Sequence, residues 1–147
     1  DVVVLRAPHR WKVAGVRRVL VPVAGGGRHD ALRARLLGSL QRTTAITVTY
    51  VRLLGAEASD RDLKRAGDEL RELAFDELGS TGDVEIVAER TTEEEGPAVV
   101  LARMADEHDL VLLGLVRVSR RHKLFGSIAL EIARTTDTAL VLISRRG

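Results

Sequence analysis

Residues 17–27, RRVLVPVAGGG, decide the architecture: the apolar run through Val23 has no polar alternation, and beyond Ala24 it closes on Gly25, Gly26 and Gly27. A strand of that composition is covered on both faces and belongs in the middle of a parallel sheet. Glycines directly after it suit a tight turn from strand into helix. Next in the chain, Ala31, Leu32, Leu36, Leu37 and Leu40 recur at helical spacing between Asp30 and Leu40, with Arg33 and Arg35 on another face. This predicts a first helix. Residues 44–54, TAITVTYVRLL, are rich in Thr, Val and Ile, stop before Gly55, and predict a second strand.

The alternation continues to the end of the sequence. Ser59, followed by Asp60 and Asp62, is a helix start, because a hydroxyl takes a free backbone N–H and carboxylates sit near the positive end of the helix dipole. Leu63, Ala66, Leu70, Leu73 and Ala74 then form one stripe, and Gly79 is the stop. Asp83 to Glu89 alternates with period two and predicts a half-exposed edge strand. Pro97, Val100, Leu101 and Met104 give a third helix ending near His108, and Asp109 to Gly114 a buried fourth strand. Gly126 and Ser127 open a last helix through Arg134, and Thr138 to Ser144 forms the fifth strand. Strand and helix in strict alternation predict a doubly wound α/β domain: a five-stranded, mostly parallel sheet with helices on both faces. Val2 to Leu5 is left over as an extra N-terminal strand resembling Ala139 to Ile143. Two readings stand. Residues 1–15 are a strand and linker left from a preceding similar domain, with 16–147 the domain proper, or the segment is an added edge strand.

Composition sets the outer limits. The 147 residues are 45% hydrophobic and 30% charged, which suits one core of ordinary size. No apolar run approaches the roughly 20 residues of a membrane span. The absence of cysteine excludes disulfide scaffolds, thiol nucleophiles and thiolate zinc sites, and is compatible with the reducing cytoplasm, the expected location. Charge is uneven: residues 1–54 hold ten Lys and Arg against two acids, residues 55–95 five against fourteen, and residues 96–147 eight against five. Nucleic acid is not an expected partner, because Trp11, Tyr50, Phe75 and Phe125 are scattered rather than interleaved with the basic stretches.

Ligands of open α/β sheets bind at the carboxyl ends of the strands, where strand order reverses. Two glycine-bearing segments fall at such ends. Gly25 and Gly26 follow the first strand; the segment from Gly114 to Ser127, GLVRVSRRHKLFGS, follows the fourth. In the second, Gly126 and Ser127 open a helix whose free N–H groups attract anions, with Arg117, Arg120, Arg121, His122 and Lys123 close by in sequence.

The order RRVLVPV, GPAVVLARMADEHDLVLLG, LFGSIALEIARTTDTALVLIS, covering residues 17–144, resembles the universal stress protein family. The resemblance implies a flavodoxin-like or Rossmann-like sheet, dimerisation through the last strand, and ATP or AMP as ligand in the nucleotide-binding members. Their pattern is a glycine, two residues, a glycine, nine residues, then Gly-Ser or Gly-Thr. Gly114 matches the first glycine and Gly126-Ser127 the last pair; Arg117 replaces the second glycine and the loop is one residue shorter. The family's aspartate after the first strand is Ala24 here. Ala24 has no acceptor for a nucleoside, and Arg117 puts a forked donor where backbone would meet phosphate. The expected site is therefore an altered nucleotide or anion site of Gly25, Gly26, Gly114, Arg117, Gly126 and Ser127. DVVVLRAP followed by RRVLVPVAGGG also resembles cytoplasmic tails of bacterial amino-acid permeases and cation antiporters, which implies a regulatory or dimerisation domain joined to a membrane-transport domain in the same chain; the alternative is a stand-alone ATP- or AMP-binding universal stress protein.

Catalysis is not expected. Ser127, His122 and Asp137 are common residues whose spacing fixes no triad geometry. The four histidines show no metal-ligand spacing and read as surface or capping residues, and Glu93 to Glu95 precede a helix start where acids are favoured by the dipole alone.

Overall fold

A computed structural model describes residues 2–24, 29–80, 82–115 and 127–144. The elements follow in the order β1 (Val2–Arg6), β2 (Arg18–Pro22), α1 (Ala31–Thr43), β3 (Thr47–Leu54), α2 (Asp60–Leu78), β4 (Asp83–Arg90), α3 (Pro97–Asp106), β5 (Leu110–Leu115), α4 (Ser127–Thr135) and β6 (Ala139–Ser144), with one 3-10 turn at Val13–Gly15. They build a single sheet in the order β1-β6-β5-β2-β3-β4. All pairings are parallel except β1 with β6. The five expected strands and the additional N-terminal one are all present in the doubly wound α/β arrangement.

The run from Val19 to Val21 is fully buried, as a central strand demands. β4 is an edge and keeps the half-exposed pattern that its alternation predicts. The first helix runs past Leu40 to Thr43, and the strand after it begins at Thr47 rather than Thr44. Thr44 closes the helix instead: its N–H donates to Leu40 O at 2.9 Å and its hydroxyl to Val16 O at 3.1 Å. Side chains on one face of the sheet pack with α1 and α2 through Leu37, Leu70, Leu73 and Leu78; those on the other pack with α3 and α4 through Leu101, Ala105, Ala129 and Ile132. Asp109 fastens the start of the central strand, accepting the N–H groups of Arg17 and Arg18 at 2.9 Å each.

The apolar β6, expected to present a bare edge to a second copy, has that edge occupied within the chain. β1 pairs with it over five residues, from Val2 opposite Ser144 to Arg6 opposite Leu140. Arg6 donates to Ala133 O at 2.7 Å, Thr136 O at 2.7 Å and Thr138 O at 3.0 Å, closing the carboxyl end of α4. No helix among the described residues is long and apolar enough to cross a membrane.

Candidate functional site at the strand-order reversal

β2 and β5 are neighbours, yet the chain leaves them in opposite directions: through α1 to β3 on one side, through α4 to β6 on the other. This is the point of strand-order reversal, where a doubly wound sheet opens a crevice. The ladder between the two strands shows it directly. It pairs Val19 with Leu110 and Leu20 with Val111, then ends, although β2 continues to Pro22 and β5 to Leu115. Each strand stays paired on its outer side. Val23 N donates to Val51 O at 2.8 Å, and Gly114 remains in register with Ile143.

Ala24 and Gly114 both stand exposed at this end of the two strands. Gly114 does not have a positive φ, and a Cβ built on it would meet nothing within 4 Å among the described residues. Neither its backbone conformation nor packing against the described residues calls for glycine there. Ser127 begins α4, a helix of nine residues with its N-terminal amides directed away from its own hydrogen-bond ladder. Gly25, Gly26, Arg117 and Gly126 lie outside the described residues, as do Arg120, Arg121, His122 and Lys123.

Beside the crevice, the carboxyl end of β3 and the first turns of α2 enclose a hollow of about 340 Å³ lined by Arg52, Leu54, Gly55, Glu57, Asp62 and Glu69, among others. Arg52 is paired with Glu69, and its buried Nε has no acceptor among the described residues. At the lip, Ser59 and Asp62 form a reciprocal cap in which each side chain accepts the other's backbone N–H at 3.1 Å. These hydrogen bonds from Ser59, backbone first, hold the Asp62 carboxyl below its ordinary range.

A buried ionic cluster fixes where α1 begins. Arg33 and Glu77 form a two-pronged pair, Nε to Oε1 at 2.7 Å and a terminal nitrogen to Oε2 at 2.7 Å, and the Glu77 side chain is fully buried. The Tyr50 hydroxyl donates to Glu77 Oε1 at 2.9 Å and the Asp30 N–H to Oε2 at 2.9 Å. Asp30 in turn caps α1, accepting from Leu32 N and Arg33 N. Burial, then the charge of Glu77, pushes the Tyr50 phenol far above its ordinary value. Burial pulls the Arg33 guanidinium down, but its hydrogen bonds and charge pairing with Glu77 reverse this and raise it. Arg33, expected on a face other than the apolar stripe, is instead buried with it. Its position four residues before Leu37 is a core position, which a cation takes when a carboxylate is waiting.

His108 caps α3, with Nδ1 2.6 Å from Met104 O, and is buried, with Nε2 3.2 Å from the Thr49 hydroxyl. No group of three or more acidic or histidine side chains suited to a metal occurs among the described residues.

No protein-family model and no curated protein matches the sequence. The fold, however, is that of solved universal stress proteins. One, in complex with cAMP, is 20% identical with a TM-score of 0.58, the match covering 90% of this chain and 100% of that one. The Archaeoglobus fulgidus universal stress protein in complex with dAMP is 19% identical with a TM-score of 0.57, covering 86% and 97%. A Pseudomonas aeruginosa protein assigned to the universal stress proteins is 18% identical with a TM-score of 0.64, covering 97% of this chain and 52% of its own. Identities of this size establish a shared fold.

Proposed function

We propose that the domain is a non-enzymatic regulatory module of the universal stress protein type that holds an adenine nucleoside monophosphate in the crevice between β2 and β5. The observation that carries this reading is the early end of the β2–β5 ladder, which leaves Ala24 and Gly114 exposed on either side of an opening while α4 begins at Ser127. Related folds have been solved with cAMP and dAMP, which supports an adenine monophosphate as the ligand class. Helix N-terminal amides at α4 suit its phosphate. Arg117 adds a side-chain donor to the phosphate, and Ala24 leaves the nucleoside without the carboxylate that the family pattern supplies. The site is therefore tuned away from tight ATP binding. The wider context is a cytoplasmic domain joined to a membrane transporter, whose ligand state is sensed rather than consumed; sequencing the surrounding reading frame for hydrophobic spans tests this context.

Calorimetric titration with AMP, cAMP and ATP tests the site. The expected result is saturable binding of a monophosphate with weaker binding of ATP, competition by inorganic phosphate, and no turnover. A chain carrying Arg117→Gly and Ala24→Asp is expected to bind ATP more tightly than the unaltered chain. Low-micromolar ATP binding by the unaltered chain, or no gain in the double variant, overturns the proposal.

A further inference from the structure

We infer that the domain carries a second ligand site, at the end of the sheet opposite the nucleotide crevice and independent of it, which takes a small aromatic anion. Where β2 and β5 begin, a hollow of about 460 Å³ is lined by Arg10, Trp11, Lys12, Ala14, Gly15 and Asp109. The segment that builds it is strained. Arg10 has a φ of 67°, the only positive value at a non-glycine among the described residues. It is third in a tight turn that the Trp11 N–H closes on Pro8 O at 3.1 Å, a position where such a φ favours glycine or asparagine. Strain of this kind persists where a site depends on it. Extended backbone points neighbouring side chains to opposite sides, whereas the turn at Arg10 brings three consecutive residues to one hollow.

The chemistry of these residues is complementary to one class of molecule. Trp11 is half-buried, packs against the core, and gives the hollow an aromatic lining on which a flat ring can stack. Arg10 and Lys12, on either side of it in sequence, are exposed and have no ion pair or hydrogen bond among the described residues. The cations that follow are engaged: the Arg17 guanidinium donates to Ala14 O at 2.8 Å and Val16 O at 3.1 Å, and Arg18 faces Glu85 at 3.9 Å. Two unengaged cations beside an indole suit a ring that bears a carboxylate or phosphate. Asp109 adds an acceptor. Its Oδ2 takes the N–H groups of Arg17 and Arg18, while its Oδ1 is neither buried nor hydrogen-bonded among the described residues. The ligand is thus a flat ring with one anionic group and one hydrogen-bond donor.

Trp11 is the one tryptophan of the chain, so its indole N–H gives a single magnetic resonance signal within the hollow. Titration with 4-hydroxybenzoate, which carries a ring, a carboxylate and an O–H donor together, is expected to shift that signal saturably. Acetate and phenol, each with part of these features, are expected to bind at least about tenfold more weakly. Arg10→Gly and Lys12→Ala are each expected to weaken 4-hydroxybenzoate binding by about tenfold to a hundredfold, the loss of one charge-assisted hydrogen bond. Glycine takes a positive φ without strain, so Arg10→Gly is also expected to melt no lower than the unaltered chain. No saturable shift with 4-hydroxybenzoate overturns the inference, as does phenol binding of equal strength or undiminished affinity in either variant. A lower melting temperature for Arg10→Gly assigns the Arg10 side chain to the fold and overturns it equally.

Discussion

Hydrogen bonds from Asp30, Arg33 and Tyr50 converge on Glu77, and its substitution is expected to show the asymmetry of buried charge. Glu77→Ala leaves the Arg33 guanidinium and the Tyr50 hydroxyl without their shared acceptor, and is expected to destabilise the fold by about 3–5 kcal/mol in urea titration. Replacing Arg33 and Glu77 together by leucine is expected to recover part of that loss, since an apolar pair needs no desolvation while the Tyr50 hydroxyl and Asp30 N–H still lack the acceptor Glu77 supplied. A double variant as unstable as Glu77→Ala contradicts this account. Tyr50→Phe is expected to destabilise by about 1.5–3 kcal/mol at neutral pH. The same phenol makes the unaltered fold alkali-sensitive. Its folded-state value is raised, so the stability of its neutral form is complete below the unfolded value near pH 10 and is lost as pH rises above it. Tyr50→Phe is expected to flatten that loss in alkaline melts. A sequence pass finds the leucines of this region by spacing alone. It missed the cluster because Arg33 and Glu77 are separated by 44 positions and each looks like an ordinary surface charge until the two helices are placed together.

Among the elements, α2 and β1 show opposite degrees of legibility. The start of α2 is written locally: Ser59 and Asp62 stand three apart, and the structure closes both hydrogen bonds of the box. Ser59→Ala is expected to lower stability by about 1 kcal/mol. The Asp62 carboxyl is held below its unfolded value, so its contribution is complete above that value and disappears as pH falls through the folded one. The difference between Ser59→Ala and the unaltered chain should therefore shrink in acid melts. β1 is legible as a strand and not as a partner, because pairing with β6 joins the two ends of the described chain and no local signal encodes it. Arg6→Ala is expected to strip protection from Val2 to Leu5 well before the rest of the sheet, which hydrogen exchange would register. The carboxyl-end turns are the least legible. Gly114 is expected from its spacing, yet neither its backbone nor its packing against the described residues requires glycine.

At the scale of the whole molecule, one sheet separates two apolar layers, and the parallel order was recoverable because each run of β-branched residues is followed by a helical stripe. The order in which the strands lie side by side comes from tertiary packing that no single segment carries. Since both layers share the same strands, they are expected to unfold together. Leu37→Ala on one face and Ile132→Ala on the other should each lower stability by about 2–5 kcal/mol, with Trp11 fluorescence and far-ultraviolet ellipticity still giving coincident transitions. Separate transitions in the Ile132 variant would show that the α3–α4 layer melts alone. The strand order also governs how the molecule is made. β2 waits for β5, about ninety residues later, to cover its second edge, and β1 pairs with β6, which follows it by more than 130 residues. A nascent chain on the ribosome therefore carries an apolar strand and a bare central edge until β5 and β6 have emerged. Stalled or truncated products would expose both at once, so this polypeptide depends on prompt completion, or on chaperones that shield it in the meantime.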